Sequence, residues 1–117
     1  MTVPSPGLAL PAVWCEVIRG DCLAVRLPDG RRVLVELLDC RSPSPATPDG
    51  QAARHWLEAW LEASGQPLTL WLSMADGLPN LLARLARPIF TARVWAGSTD
   101  LAAALVAHGH AQPISQP

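Results

Sequence analysis

Residues 12–38 read AVWCEVIRGDCLAVRLPDGRRVLVELL, and this stretch decides the fold. From Ala12 to Ile18, the residues Val13, Cys15 and Val17 alternate with Trp14, Glu16 and Ile18, the period of two that marks a strand. Arg19-Gly20-Asp21 supplies a turn, and Cys22 to Leu27 reads as the returning strand. Pro28-Asp29-Gly30 is a hairpin signal, because Asp-Gly accepts the positive φ that two-residue turns require. Arg31 to Leu38, with Val33, Leu34, Val35, Leu37 and Leu38, is the third strand. Three strands joined by short turns form a β-meander. Hairpin links of this length cannot join parallel strands, which counts against an open α/β sandwich.

On either side of the meander the pattern changes. Residues 1–10 are proline-rich and read as a flexible N-terminal segment, with a second flexible tail at 113–117. The loop 41–50 carries Pro43, Pro45 and Pro48, which forbid a regular helix there. A helix follows from about Gln51 to Ser64, with Asp49 near its start and Gly65 at its end. Pro67 to Ser73 alternates Leu68, Leu70 and Leu72 with Thr69 and Trp71, giving a fourth strand. Leu78 to Arg87 is a short amphipathic helix stopped by Pro88, and Ile89 to Trp95 is the fifth strand. Thr99-Asp100 caps a last helix, Leu101 to His108, closed by Gly109. The expected domain, residues 11–112, is mainly β with helices. Five short strands, with one helix between the third and fourth and another at the C-terminus, match the Greek-key barrel called the OB fold.

A chain of 117 residues suits one domain, burying roughly 65% of the surface it exposes when unfolded. Hydrophobic residues make up 50% and charged residues 16%, which excludes disorder as the main state. The formal charge of −1 disfavours a domain built to grip nucleic acid. All nine cations are arginine, which reads as the codon bias of a GC-rich, bacterial genome. No run of about 18 apolar residues offers a membrane span, and the N-terminus lacks a secretory pattern. Three cysteines form no C-x-x-C pair, so neither a disulfide framework nor a zinc site is indicated. If Arg19-Gly20 is the turn, Cys15 and Cys22 point to opposite faces and cannot bond. These features predict a reduced, cytoplasmic chain.

The order of elements and four local phrases resemble the staphylococcal nuclease (thermonuclease-like) family. Val17-Ile18-Arg19-Gly20-Asp21-Cys22 stands where that family has a V-x-D-G-D-T turn. Asp29-Gly30 and the run from Val33 to Ser44 follow its "dG...vrlrLlgIdaPE" contour. Gly50-Gln51-Ala52-Ala53, with Leu57, Trp60 and Leu61, follows its "G.eA...l..ll" helix. Val94, Gly97, Asp100-Leu101-Ala102, Leu105-Val106 and Gly109-His110-Ala111 follow its closing "v..g..dlN..Lv..GlA" phrase. The resemblance spans residues 12–112 and implies a five-stranded OB-fold barrel of the staphylococcal-nuclease type.

The family's active site does not carry over. It binds calcium through one acid in the first turn and another after the third strand, with two arginines and a glutamate around the phosphate. Asp21 is retained. The other turn acid falls on Arg19, the strand arginine on Glu36, the second calcium acid on Arg41 (or on Asp39 with a shifted loop), and the glutamate on Ser44. The second arginine has no clear counterpart, Arg87 being nearest, and the stacking tyrosines have none, since the chain lacks tyrosine. A hard cation needs several oxygen ligands, and a carboxylate in an arginine's place repels phosphate. The expectation is therefore a degenerate site with no catalytic residue, no metal and no cofactor. Its swapped charges, Arg19 and Arg41 against Asp21 and Glu36, should form a quiet structural cluster. The competing reading is a calcium-dependent phosphodiesterase rebuilt from Asp21, Glu36 and Asp39 with Arg87; a third is a barrel that binds single-stranded nucleic acid.

The remaining candidates have plainer readings. His55, His108 and His110 lie at no ligand spacing and read as structural or exposed. Trp56 and Trp60 read as core, and only Trp95, near Arg93, has the basic neighbour that base stacking calls for. Ser42 and Ser44 have no assignable base. The function expected is that of a binding or assembly module for a protein partner or a second copy. Its surface is the leucine stripe Leu78, Leu81, Leu82 and Leu85 with Arg84 and Arg87. The bland alternative is that this stripe lids the barrel.

Overall fold

The computed structural model describes residues 7–114. The expectations for residues 1–6 and 115–117 lie outside the described residues. Among the described residues, eight strands and three helices follow one another. They are β1 (Gly7–Arg19), β2 (Cys22–Arg26), β3 (Arg32–Leu37), β4 (Cys40–Arg41), α1 (Pro48–Ser64), β5 (Leu68–Ser73), α2 (Leu78–Leu85), β6 (Ile89–Ala96), β7 (Thr99–Asp100), α3 (Leu101–Ala107) and β8 (Gln112–Pro113). Five of the strands close a barrel in the order β1-β2-β3-β6-β5 and back to β1. Every contact is antiparallel except β3 with β6, where Leu34 lies beside Ile89 and Leu37 beside Ala92. A closed, OB-like five-stranded barrel is the result.

β1 is long enough to serve two neighbours. Its first half, Gly7 to Ala12, pairs with Ser73 to Leu68 of β5, and its second half pairs with β2. The strand therefore starts five residues before the expected Ala12, and Gly7 to Leu10, expected to be flexible, are paired backbone. The register shifts between Trp14 and Glu16 and between Val17 and Arg19 bend the strand so that one chain segment can do both. At the far end, Gln112 and Pro113 pair with Arg41 and Cys40, and Ile114 N–H donates to the Asp39 carbonyl at 3.0 Å, so paired backbone extends two residues into the expected tail.

Two turns differ from expectation. Arg19 faces Cys22, so the first hairpin turns at Gly20-Asp21 and not at Arg19-Gly20. The predicted separation of Cys15 and Cys22 holds nonetheless, because Cys15 is exposed and Cys22 buried. The second hairpin uses a longer loop than two residues. Gly30 N–H donates to the Leu27 carbonyl and Leu27 N–H to the Arg31 carbonyl, both at 2.9 Å, with Gly30 at φ 91°. That geometry needs glycine just where the sequence has one.

α1 begins three residues earlier than predicted. Thr47 caps it by accepting from Gly50 N–H at 3.0 Å, and Pro48 occupies the first turn. Proline is excluded from helix interiors but preorganised for the first position, where its missing N–H has no partner to lose. Gly65, at φ 61°, ends the helix. α1 sends Ala53, Leu57 and Leu61 into the core, which also holds Leu23, Val25, Val35, Leu70, Phe90, Val94, Leu101 and Leu105. No helix among the described residues is long and apolar enough to cross a membrane.

Candidate functional site

The first hairpin turn, the end of β3 and the loop after β4 meet at Asp21. Its carboxylate accepts from Arg19 Nε at 2.7 Å and from the Ser42 backbone N–H at 3.3 Å, while its carbonyl accepts from Leu37 N–H at 2.8 Å. Arg19 Nη2 also reaches Glu36 Oε2 at 3.5 Å. One guanidinium thus joins the two carboxylates. The hydrogen bond to Asp21, with the charges of Asp21 and Glu36 behind it, outweighs desolvation and raises the Arg19 pKa. Gly20 permits this close assembly, since a Cβ there would sit 2.8 Å from Ser42 Cβ and 2.9 Å from Ala53 Cβ.

Of the four charges expected to cluster, three do. Arg41 is exposed and forms no ion pair among the described residues. It lines instead an open cleft of about 590 Å³ with Ser42, Pro43, Asp49, His110 and Gln112. The cause is the two-residue strand β4: Cys40 is buried, so its neighbour Arg41 points outward.

Asp39 belongs to a second cluster. It takes a positive φ of 73° after β3, and its carboxylate accepts from Arg93 Nη2 at 2.6 Å. Asp100, which also caps α3 through Ala102 N–H, lies 3.9 Å from Arg93 Nε. The guanidinium of Arg93 stands 5.7 Å over the Trp71 ring. In the sequence Arg93 lies near Trp95. Because β5 pairs Trp71 with Arg93 and Thr69 with Trp95, the arginine stacks on its cross-strand neighbour. No local pattern marks Arg93 as a partner for Asp39, because nothing short of the fold brings residues 39 and 93 together.

The other named positions lie apart. The Ser44 carbonyl accepts from Thr47 N–H and Oγ1, and its hydroxyl from Ala46 N–H, so its polar atoms shape the loop before α1. Gly50 is pressed against that Ser44 carbonyl, with no space for a Cβ. Arg87 precedes β6, four residues before Thr91, the residue paired with Glu36. At a strand's rise this puts it roughly 13 Å along from the cluster.

Two further features bear on chemistry. Burial pushes the Cys40 thiol up to about 12, with the carboxylates of Asp21, Asp100 and Asp39 adding to the shift. Trp56 is not an isolated core ring: it contacts Trp60, His108 and His110, with ring centroids 6.4, 4.7 and 5.3 Å away. The two histidines therefore dock the end of α3 on α1. Among the described residues, no three side chains of metal-ligating type gather at one point.

The leucine stripe of α2 divides. Leu81 is fully buried and Leu85 packs partly against the core, whereas Leu78 and Leu82 are 51% and 56% exposed. Arg84 turns back to the Ser73 carbonyl and to Asp76, holding the helix over the end of β5. Lid and exposed face are thus two sides of one helix. Comparison with protein-family models and with curated proteins finds no match for this chain.

Proposed function

We propose that this chain is a catalytically silent barrel of the staphylococcal-nuclease type, serving as a binding or assembly module for a protein partner. The observation that carries this reading is the position of Arg19. Its guanidinium lies between Asp21 and Glu36, at 2.7 and 3.5 Å, and so engages Asp21, the one turn acid that the resemblance would have facing a calcium ion. A side chain supplies the positive charge, so the two carboxylates are already engaged. Calcium takes six to eight oxygen ligands, usually with more than one free carboxylate among them. The residues present do not fit it.

Phosphoryl transfer needs positive charge aimed at the transferring group. Glu36 offers the opposite sign on β3, and Arg87 lies well along the barrel from it. Asp39, the other acid a rebuilt site would use, is engaged by Arg93. Partner binding has its support elsewhere, on α2. Leu78 and Leu82 are one turn apart on its outer face, and full burial of a leucine is worth roughly 1.5–3 kcal/mol.

The test is cleavage. Pure protein incubated with single-stranded DNA and RNA in millimolar calcium should leave both polymers intact. Calcium-dependent cleavage that disappears in Asp21→Ala overturns the proposal and favours the rebuilt phosphodiesterase.

A further inference from the structure

Arg26 of β2 and Arg32 of β3 stand directly opposite each other, and both are exposed. Their neighbours Val25 and Val33 are buried, so the two arginines project from the outer face of the barrel. β6 extends the row. It runs parallel to β3, and the Pro88 carbonyl accepts from Leu34 N–H at 2.9 Å, which brings the exposed Arg87 in at the Arg32 end of β3.

Like charges facing one another across strands destabilise a sheet. The protein does little to offset them here. Arg32 has Glu16 at 3.3 Å, while Arg26 donates to the Gly30 carbonyl at 2.7 Å. Neither Arg26 nor Arg87 pairs with a carboxylate among the described residues. The next position on this face is apolar, with Leu34 half-buried beside Ile89, which is 40% exposed. Arg31, in the hairpin loop, donates to the Leu85 carbonyl at 2.9 Å and so joins this face to the end of α2. With Asp29 paired to Arg31 at 3.0 Å and Glu16 to Arg32 at 3.3 Å, the four arginines still leave this face net positive in a chain whose formal charge is −1. No exposed aromatic ring accompanies it at these positions, so it lacks the stacking platform of a single-strand binder.

We infer that this face docks an acidic, partly apolar peptide segment of a partner protein. Carboxylates of the segment lie over Arg26, Arg32 and Arg87, and its apolar side chains over Leu34 and Ile89. The inference rests on the binding-module reading and gives that module's partner its chemistry.

Fluorescence anisotropy with a dye-labelled peptide of Glu-Glu-Leu repeats tests it at low salt, with labelled oligothymidylate as the second probe. The variant is Arg26→Glu, which sets a carboxylate opposite Arg32 and turns repulsion into attraction. The wild type should bind the peptide more tightly than oligothymidylate, and added salt should weaken the binding. Arg26→Glu should lose about tenfold in peptide affinity while its melting temperature holds or rises. No peptide binding, equal binding by the variant, or tighter binding of oligothymidylate overturns the inference. So does self-association that Arg26→Glu removes, which would make a second copy the occupant. Each of these outcomes leaves the silence of the Asp21 site untouched, because cleavage is read in a separate assay that does not involve Arg26.

Discussion

Cys40 is 2% exposed and its thiol is pushed up to about 12, while Cys22 is raised by the same burial and Cys15 is free on the surface. The chain has no lysine and no tyrosine, so cysteines are the side chains that titrate in the alkaline range below arginine. In the unfolded chain each thiol ionises near its ordinary value of 9.0, whereas folded Cys40 keeps its proton. The unfolded state therefore binds fewer protons between about pH 9 and pH 12, and stability falls as pH rises through that window. Denaturant titrations should show full stability below pH 9 and a steady decline above it, with a shallower decline in Cys40→Ala. Equal slopes for the two proteins would show that Cys40 does not carry the effect. Arg19 illustrates what one residue does to a site: its guanidinium supplies a cation to both Asp21 and Glu36. Arg19 as a charge in the first turn was legible in the sequence. Its partners Asp21 and Glu36 were legible too, whereas the separation of Arg41 depended on which face a two-residue strand presents.

At the scale of elements, α2 is where sequence periodicity says least. Leu78, Leu81, Leu82 and Leu85 share one helical stripe, yet a helix of eight residues over the barrel end turns only part of that stripe inward. Leu81→Ala should cost about 2–5 kcal/mol, as deletion of a fully buried leucine does. Leu82→Glu should change stability by no more than about 0.5 kcal/mol. Urea denaturation of the two variants reads both, and a comparable loss in Leu82→Glu would mean that the whole stripe is core. The strands were easier, because Leu68, Leu70 and Leu72, or Val33, Val35 and Leu37, alternate cleanly with outward residues. Their ends were not. Arg19-Gly20-Asp21 offers two turn positions of equal local merit, and packing of Gly20 against Ser42 and Ala53 selects one. In sequence Pro48 reads as a helix breaker, although the first helical position suits it.

For the whole molecule, the decisive event is the parallel pairing of β3 with β6, which closes the barrel and which no local pattern announces. Closure also sorts the charges. It gathers Arg26, Arg32 and Arg87 at one part of the outer face, Arg19 with Asp21 and Glu36 at another, and Arg93 with Asp39 and Asp100 at a third. The sequence lets one count these residues but not assign Arg93 to Asp39, because residues 39 and 93 meet only once the barrel has formed. The central claim is the proposal that the Arg19 guanidinium, and not a metal ion, engages Asp21 and Glu36. Isothermal titration of calcium into the pure protein tests it most directly. The account predicts no saturable heat in the millimolar range. A saturable, roughly stoichiometric calcium isotherm that Asp21→Asn abolishes would contradict it.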